Sequence, residues 1–176
     1  MKRKSYDSMQ CPIARTLERV GEWWSILILR DAMYGMTRFE QFQKNLGISP
    51  NILSARLATL VEHGFLEKRV YSEAPYRLEY ILTAKGHAFE PVILSMSHFG
   101  TTQLAPEGAV SVLVDRETGK KADLAVVDKK TGKNITWPEY IFVPGPAASP
   151  DMKRVLEFAE EMAPEKLRAK KARRRA

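Results

Sequence analysis

The stretch GISPNILSARLATLVEHG, residues 47–64, decides the fold. Gly47-Ile48 reads as a tight turn, Ser49 suits an N-cap, and Pro50 behind it suits a first helical position. Leu53, Leu57, Leu60 and Val61 recur at helical spacing and make one apolar face. The opposite face holds Asn51, Ala55, Ala58, Thr59 and Glu62, with Arg56 on its flank and Ser54 between the two faces. Gly64 is placed to end the helix.

Upstream, Ile13, Leu17 and Val20 recur at helical spacing behind Pro12, and Gly21 breaks the pattern. Residues 22–33 follow as a helix that is apolar nearly all round, a pattern that belongs at the centre of a domain. Gly35 ends it, and Thr37-Arg38 opens a third helix carrying Phe39, Phe42 and Leu46. Downstream, the runs 66–71 and 76–82 have strand character. The four residues Ser72-Glu73-Ala74-Pro75 join them, a turn too long for a two-residue connection. Thr83 caps a last helix in which Phe89, Val92, Ile93, Met96 and Phe99 share a face, and Pro91 inside it is expected to kink it.

Three helices, a helix opposed to the third across a tight turn, a hairpin and a closing helix form the element order of a winged helix-turn-helix. In such an arrangement the helix after the turn enters a DNA major groove, and small or hydrogen-bonding side chains on its outer face suit that task. The fold class is therefore α+β, with a small antiparallel β extension and a C-terminal helix behind the winged helix.

Charge adds little to this reading. The net charge of +7 is distributed as +3 over residues 1–100, −2 over 101–163 and +6 over 164–176, so most of the excess belongs to a tail. Cys11 is the single cysteine, which excludes an intramolecular disulfide. The longest apolar run, residues 23–29, is far too short to span a bilayer, and the opening MKRKSYDSMQ has no apolar stretch behind its basic residues. A cytoplasmic protein without leader or membrane contact is expected. His63, His87 and His98 share no ligand spacing, and neither a phosphate loop nor a nucleophile motif is present, so no enzyme activity, cofactor or metal is expected.

The segments CPIARTLERVGEWWSILILRD (11–31), TRFEQFQKNLGISPNILSARLATLVEHGFLEKRVY (37–71) and PYRLEYILTAKG (75–86) together resemble the HxlR-type winged-helix regulators of bacteria. The resemblance covers residues 9–100. It implies a homodimer held by the first and last helices of that domain, with Ile13, Leu17, Val20, Phe89, Ile93 and Met96 as interface candidates. Packing of both stripes into their own core is the alternative. The family tends to carry a proline like Pro91.

The partner expected is double-stranded DNA. Arg38, ahead of the third helix, is a phosphate candidate. Ser49, Asn51, Ala55 and Arg56 are the groove-face candidates, with Ser54 a weaker one: Asn can read adenine, Arg can read guanine or grip phosphate, and Ala can touch a thymine methyl. In the hairpin, Arg77 is the candidate for backbone or minor-groove contact, with Tyr76 beside it and Lys68 and Arg69 opposite. In some members of the resembling family a cysteine at the position of Cys11 senses oxidants or electrophiles, so a thiol sensor is one alternative function and an oxidant or small-molecule effector one open partner. A buried structural thiol is the other reading of Cys11.

Residues 101–147 form the second unit. LVDRETGKK and VVDKKTGKN repeat within it, each read as strand, turn at Thr-Gly, strand, and Trp137 to Val143 supply a final apolar strand. The arrangement resembles the zinc-ribbon-like extension of some family relatives, whose turns carry metal-binding cysteines. Both turns here lack cysteine, so a unit held by packing is expected. Residues 148–176 comprise a Pro/Gly linker, a helix with Met152, Val155, Leu156, Ala159 and Met162 on one stripe, and the basic tail. That tail raises a third reading, a non-specific architectural nucleic-acid binder.

Overall fold

Leu53, Leu57 and Leu60 are completely buried, and the first domain is assembled around them. They belong to α4 (Pro50–Glu62), which packs against α1 (Pro12–Val20), α2 (Trp23–Met33) and α3 (Phe39–Leu46). Burying each leucine contributes about 1.5–3 kcal/mol. The computed structural model describes residues 5–162, and the basic tail singled out above lies outside them. Ser49 caps α4 as expected, its Oγ accepting from Ile52 N at 3.4 Å. Gly64 follows the helix at φ +70, a left-handed conformation that glycine adopts without steric cost.

α2 is not buried all round. Ser25, Ile28 and Leu29, spaced as one helix face, enter the core, whereas Trp23 in the first turn is 85% exposed. Asp31 is also fully buried. Its carboxylate accepts from Arg30 Nε and Nη2 at 2.9 and 2.7 Å and from Asn45 Nδ2 at 2.8 Å, which ties α2 to α3. A carboxylate is tolerated there because each oxygen has a donor. Asp31→Asn removes the charge and turns an amide N–H₂ towards donors. A loss of about 1–2 kcal/mol is expected in thermal or urea unfolding, and an unchanged midpoint would show that the cluster carries no net stabilisation.

The hairpin pairs β1 (Leu66–Glu73) with β2 (Tyr76–Leu82) antiparallel, from Leu66↔Leu82 to Glu73↔Tyr76. Only Ala74 and Pro75 connect the strands, which corrects the longer turn read from the sequence. A register shift between Val70 and Ser72 takes up one residue of β1, so pairing continues into the stretch counted as turn. Tyr80 N donates to Thr37 O at 2.7 Å and Arg38 bridges to Glu79, so the lead into α3 lies along the free edge of β2.

The single kinked helix expected after Thr83 is instead two, α5 (Ala84–His87) and α6 (Glu90–Gln103). Pro91 falls in the first turn of α6, where its missing N–H costs nothing. α6 runs three residues past the boundary drawn at residue 100.

The extension differs most from expectation. The hairpin wing is the one sheet among the described residues. Each Thr-Gly repeat is closed by a single antiparallel bridge, Val114↔Lys121 and Val127↔Asn134, and residues 137–143 form a turn and irregular chain, not a strand. Val110, Phe142 and Val143 stay exposed, so the apolar runs here have no buried face to fix a strand. Carboxylates organise the turns. Asp115 accepts from Thr118 N and Oγ1, both at 2.7 Å, and Asp128 from Lys130 N at 3.0 Å and Thr131 Oγ1 at 2.9 Å. The Thr118 hydrogen bonds hold the Asp115 carboxyl below its ordinary range, and those from Lys130 and Thr131 do the same for Asp128. A depressed folded pKa stabilises above the ordinary carboxylate value and is lost as pH falls through the depressed one. In an NMR titration, the Thr118 and Thr131 amides are therefore expected to shift with a midpoint below ~3.9. A midpoint at or above that value would contradict the capped turns. α7 (Pro150–Glu161) follows, capped by Ser149, whose own N–H donates to Gln10 Oε1 at 2.7 Å.

Candidate nucleic-acid interface

With its leucines inward, α4 turns Asn51, Ile52, Ser54, Ala55 and Ala58 outward, and all are exposed. The Ser49 oxygen is engaged in the cap, and its hydroxyl hydrogen remains available to donate. Ile52 was not singled out by the sequence reading. The signal was there: it falls outside the Leu53/Leu57/Leu60 series, so burial does not explain it.

Arg56 does not stand in this face. Its Nη2 lies 3.3 Å from Glu22 Oε2 at the start of α2, and its Nε is enclosed without an acceptor. It braces α4 on α2, because a flank position lets a long side chain reach the neighbouring helix before it reaches solvent.

The wing gathers a second set. The Arg38 guanidinium lies 4.5 Å from the centre of the Tyr71 ring. The Tyr71 side chain also lies beside Arg77, and its oxygen, with the charge of Glu40, favours the arginine's cationic form. Tyr71 is thus a neighbour common to Arg38 and Arg77, a role no spacing rule indicates. Both arginines are exposed, as is Tyr76 at the wing tip. Arg69 is spent on Glu79 at 2.8 Å across the hairpin, and its hydrogen bond keeps the Glu79 carboxyl below the usual range. Lys68 is exposed, and Tyr80 packs against the core.

The interface candidates divide. Val20, Phe89 and Ile93, at 1%, 7% and 7% exposure, are packed into the protomer's own core, which corrects their reading as self-association residues. Phe65 and Phe89 meet edge to face at 5.9 Å inside that core. Ile13, Leu17 and Met96 are exposed, and Val92 and Phe99 share the outward side of α6 with Met96. Cys11 is half-buried at the N-cap of α1, its carbonyl accepting from Arg15 N at 3.0 Å. Among the described residues, no three His, Cys, Asp or Glu side chains are grouped as metal ligands, and no helix is long and apolar enough to cross a membrane.

A capped, outward-facing helix behind a tight turn, flanked by a two-stranded wing, defines the winged helix-turn-helix class. The chain belongs to the HxlR-like helix-turn-helix family, whose model matches residues 19–108. It is 39% identical over 135 residues to the HTH-type transcriptional regulator Rv3095 of Mycobacterium tuberculosis, covering 76% of this chain and 85% of that one. Against sll1512 of Synechocystis sp., another protein named as an HTH-type transcriptional regulator, it is 37% identical over 108 residues, covering 61% and 80%. Two solved structures named as transcription factors are also similar. PA1607 superposes with a TM-score of 0.72 at 38% identity, covering 81% of this chain and all of that one. PA1374 of Pseudomonas aeruginosa gives 0.60 at 43% identity, covering 83% and 100%. Residues 1–108 are about three fifths of the chain, so both likenesses reach into the extension. The family and these relatives are transcription regulators, not enzymes.

Proposed function

We propose that the protein acts in the cytoplasm as a homodimer that binds double-stranded DNA sequence-specifically, with α4 in the major groove and the wing on the flanking backbone or minor groove. The observation that carries this reading is the division of α4. Leu53, Leu57 and Leu60 are wholly buried while Asn51, Ile52, Ser54, Ala55 and Ala58 are presented to solvent. A helix so anchored offers a rigid face with little side-chain entropy to lose. Asn51 supplies a bidentate amide for adenine, and Ile52 and Ala55 supply apolar contact for thymine methyls. The Arg38/Tyr71/Arg77 cluster meets phosphates beside it. Ile13, Leu17, Val92, Met96 and Phe99 form the self-association face.

Electrophoretic retardation with DNA from upstream of the protein's own coding region tests this reading. A complex that resists non-specific competitor, on a pseudo-palindrome with half-sites ~34–36 Å apart, is expected. Loss of the complex to equal non-specific competitor would refute it. Arg38→Ala is expected to weaken binding to every sequence alike and to lower the salt slope, d log K/d log[salt], by about 1 in magnitude. An unchanged slope would remove Arg38 from the phosphate contacts.

A further inference from the structure

A concavity lies away from the reading face, between α1 and the root of the wing. It is an open groove of about 520 Å³ lined by Asp7, Arg15, Thr16, Arg19, Phe65, Lys85 and Phe89. That size falls within the range of small-molecule sites. Its floor is the Phe65/Phe89 pair, whose rings stand at 83° to one another. Its walls are cationic. Arg15, Arg19 and Lys85 face a single carboxylate, Asp7, which is paired with Arg19 at 2.6 Å.

The remaining donors matter most. Arg15 uses Nε on Met9 O at 3.2 Å, which fixes the guanidinium, and its terminal N–H groups have no partner among the described residues. Lys85 Nζ donates to His63 O at 2.7 Å and sits 4.7 Å from the centre of the Phe65 ring, with two of its three hydrogens left. Two cations held in place by backbone carbonyls, lining one groove with two aromatic side chains, match a ligand with an anionic end and a flat apolar body. Arg15 and Arg19 lie one helical turn apart, on the side of α1 roughly opposite Ile13 and Leu17. A partner packed on Ile13 and Leu17 would leave the groove open.

We propose that this groove binds a small aromatic carboxylate, its carboxylate between Arg15 and Lys85 and its ring on Phe65 and Phe89. The ligand would join α1 to the junction of α4 and the wing, since Lys85 is bound to the carbonyl of His63, the residue that ends α4. It would thereby act as an effector of DNA binding. That output rests on the function proposed above, whereas the binding itself does not.

Isothermal titration calorimetry of the full chain without DNA, at constant ionic strength, separates the two. Sodium benzoate is expected to bind saturably, with benzamide and acetate each at least about tenfold weaker, because one lacks the charge and the other the ring. The double variant Arg15→Gln, Lys85→Gln is expected to lose about tenfold or more in benzoate affinity, and Arg15→Lys to retain most of it. Both positions are exposed, so an unchanged melting temperature confirms that the fold survives. Benzoate binding no tighter than acetate, or wild-type affinity in the double variant, would overturn the proposal. Failure of the retardation experiment alone would leave this titration unaffected.

Discussion

Ala55→Glu is expected to lower specific DNA affinity about 100-fold or more while leaving the melting temperature unchanged. Ala55 is exposed on α4, so the longer side chain meets water in the free protein and the buried leucine face is undisturbed. In the complex the same side chain would bring a carboxylate into a groove walled by phosphates. Like-charge juxtaposition at an interface costs several kcal/mol, and each 1.4 kcal/mol is a factor of ten. Ala159→Glu on α7, also exposed, changes net charge equally and serves as the control. If the two variants bound alike, α4 would not be the reading helix. If Ala55→Glu alone lost the specific complex, the loss could not be assigned to net charge.

The reading helix was legible because several local signals coincide in one stretch. A serine cap, a proline at the first turn, leucines at helical spacing and a glycine past the end agree with one another, and all are met in the structure. Arg56 was illegible because its direction depends on where α2 begins and what Glu22 offers there. The stripes of α1 and α6 were ambiguous for a different reason. Apolar periodicity reports burial and not its agent, so Val20, Phe89 and Ile93 looked the same as Ile13, Leu17 and Met96 until the chain was closed on itself. Asp31 stood in plain view as a lone carboxylate in an apolar run, yet its partner Asn45 is fourteen residues away on another helix. In the extension, apolar runs flanking the Thr-Gly turns suggested strands. Such a run makes a strand only when one face is covered, and here Asx-type turns closed by aspartate dominate instead.

Gly86→Val is expected to destabilise the domain by about 3 kcal/mol and to weaken DNA binding through the wing. Gly86 is buried, and a Cβ there would come 2.3 Å from Phe65 O and 2.8 Å from Leu82 Cδ2. Leu82 could turn aside, but Phe65 O is backbone. It is already fixed by Thr83, whose N–H donates to it at 3.1 Å. Thr83 Oγ1 in turn accepts from Gly86 N at 3.1 Å and donates to Gly64 O at 2.6 Å. Gly64, Phe65, Thr83 and Gly86 therefore share one small network at the base of the hairpin, and a side chain at residue 86 must displace it. Overpacking of this kind typically costs 1–3 kcal/mol, and valine brings two methyl groups beyond the first clash, placing it about the upper end. For a chain of this length that corresponds to a fall in Tm of about 6–12 °C, read by differential scanning calorimetry. Gly64 and Phe65 connect the end of α4 to the start of β1, so the displacement also changes the angle between the two elements proposed to touch DNA. Below its transition, the variant is expected to stay folded by circular dichroism yet bind DNA more weakly than wild type. A melting temperature within a degree of wild type would show that α5 yields without cost. Lowered stability with unchanged affinity would separate the packing of Gly86 from the placement of the wing.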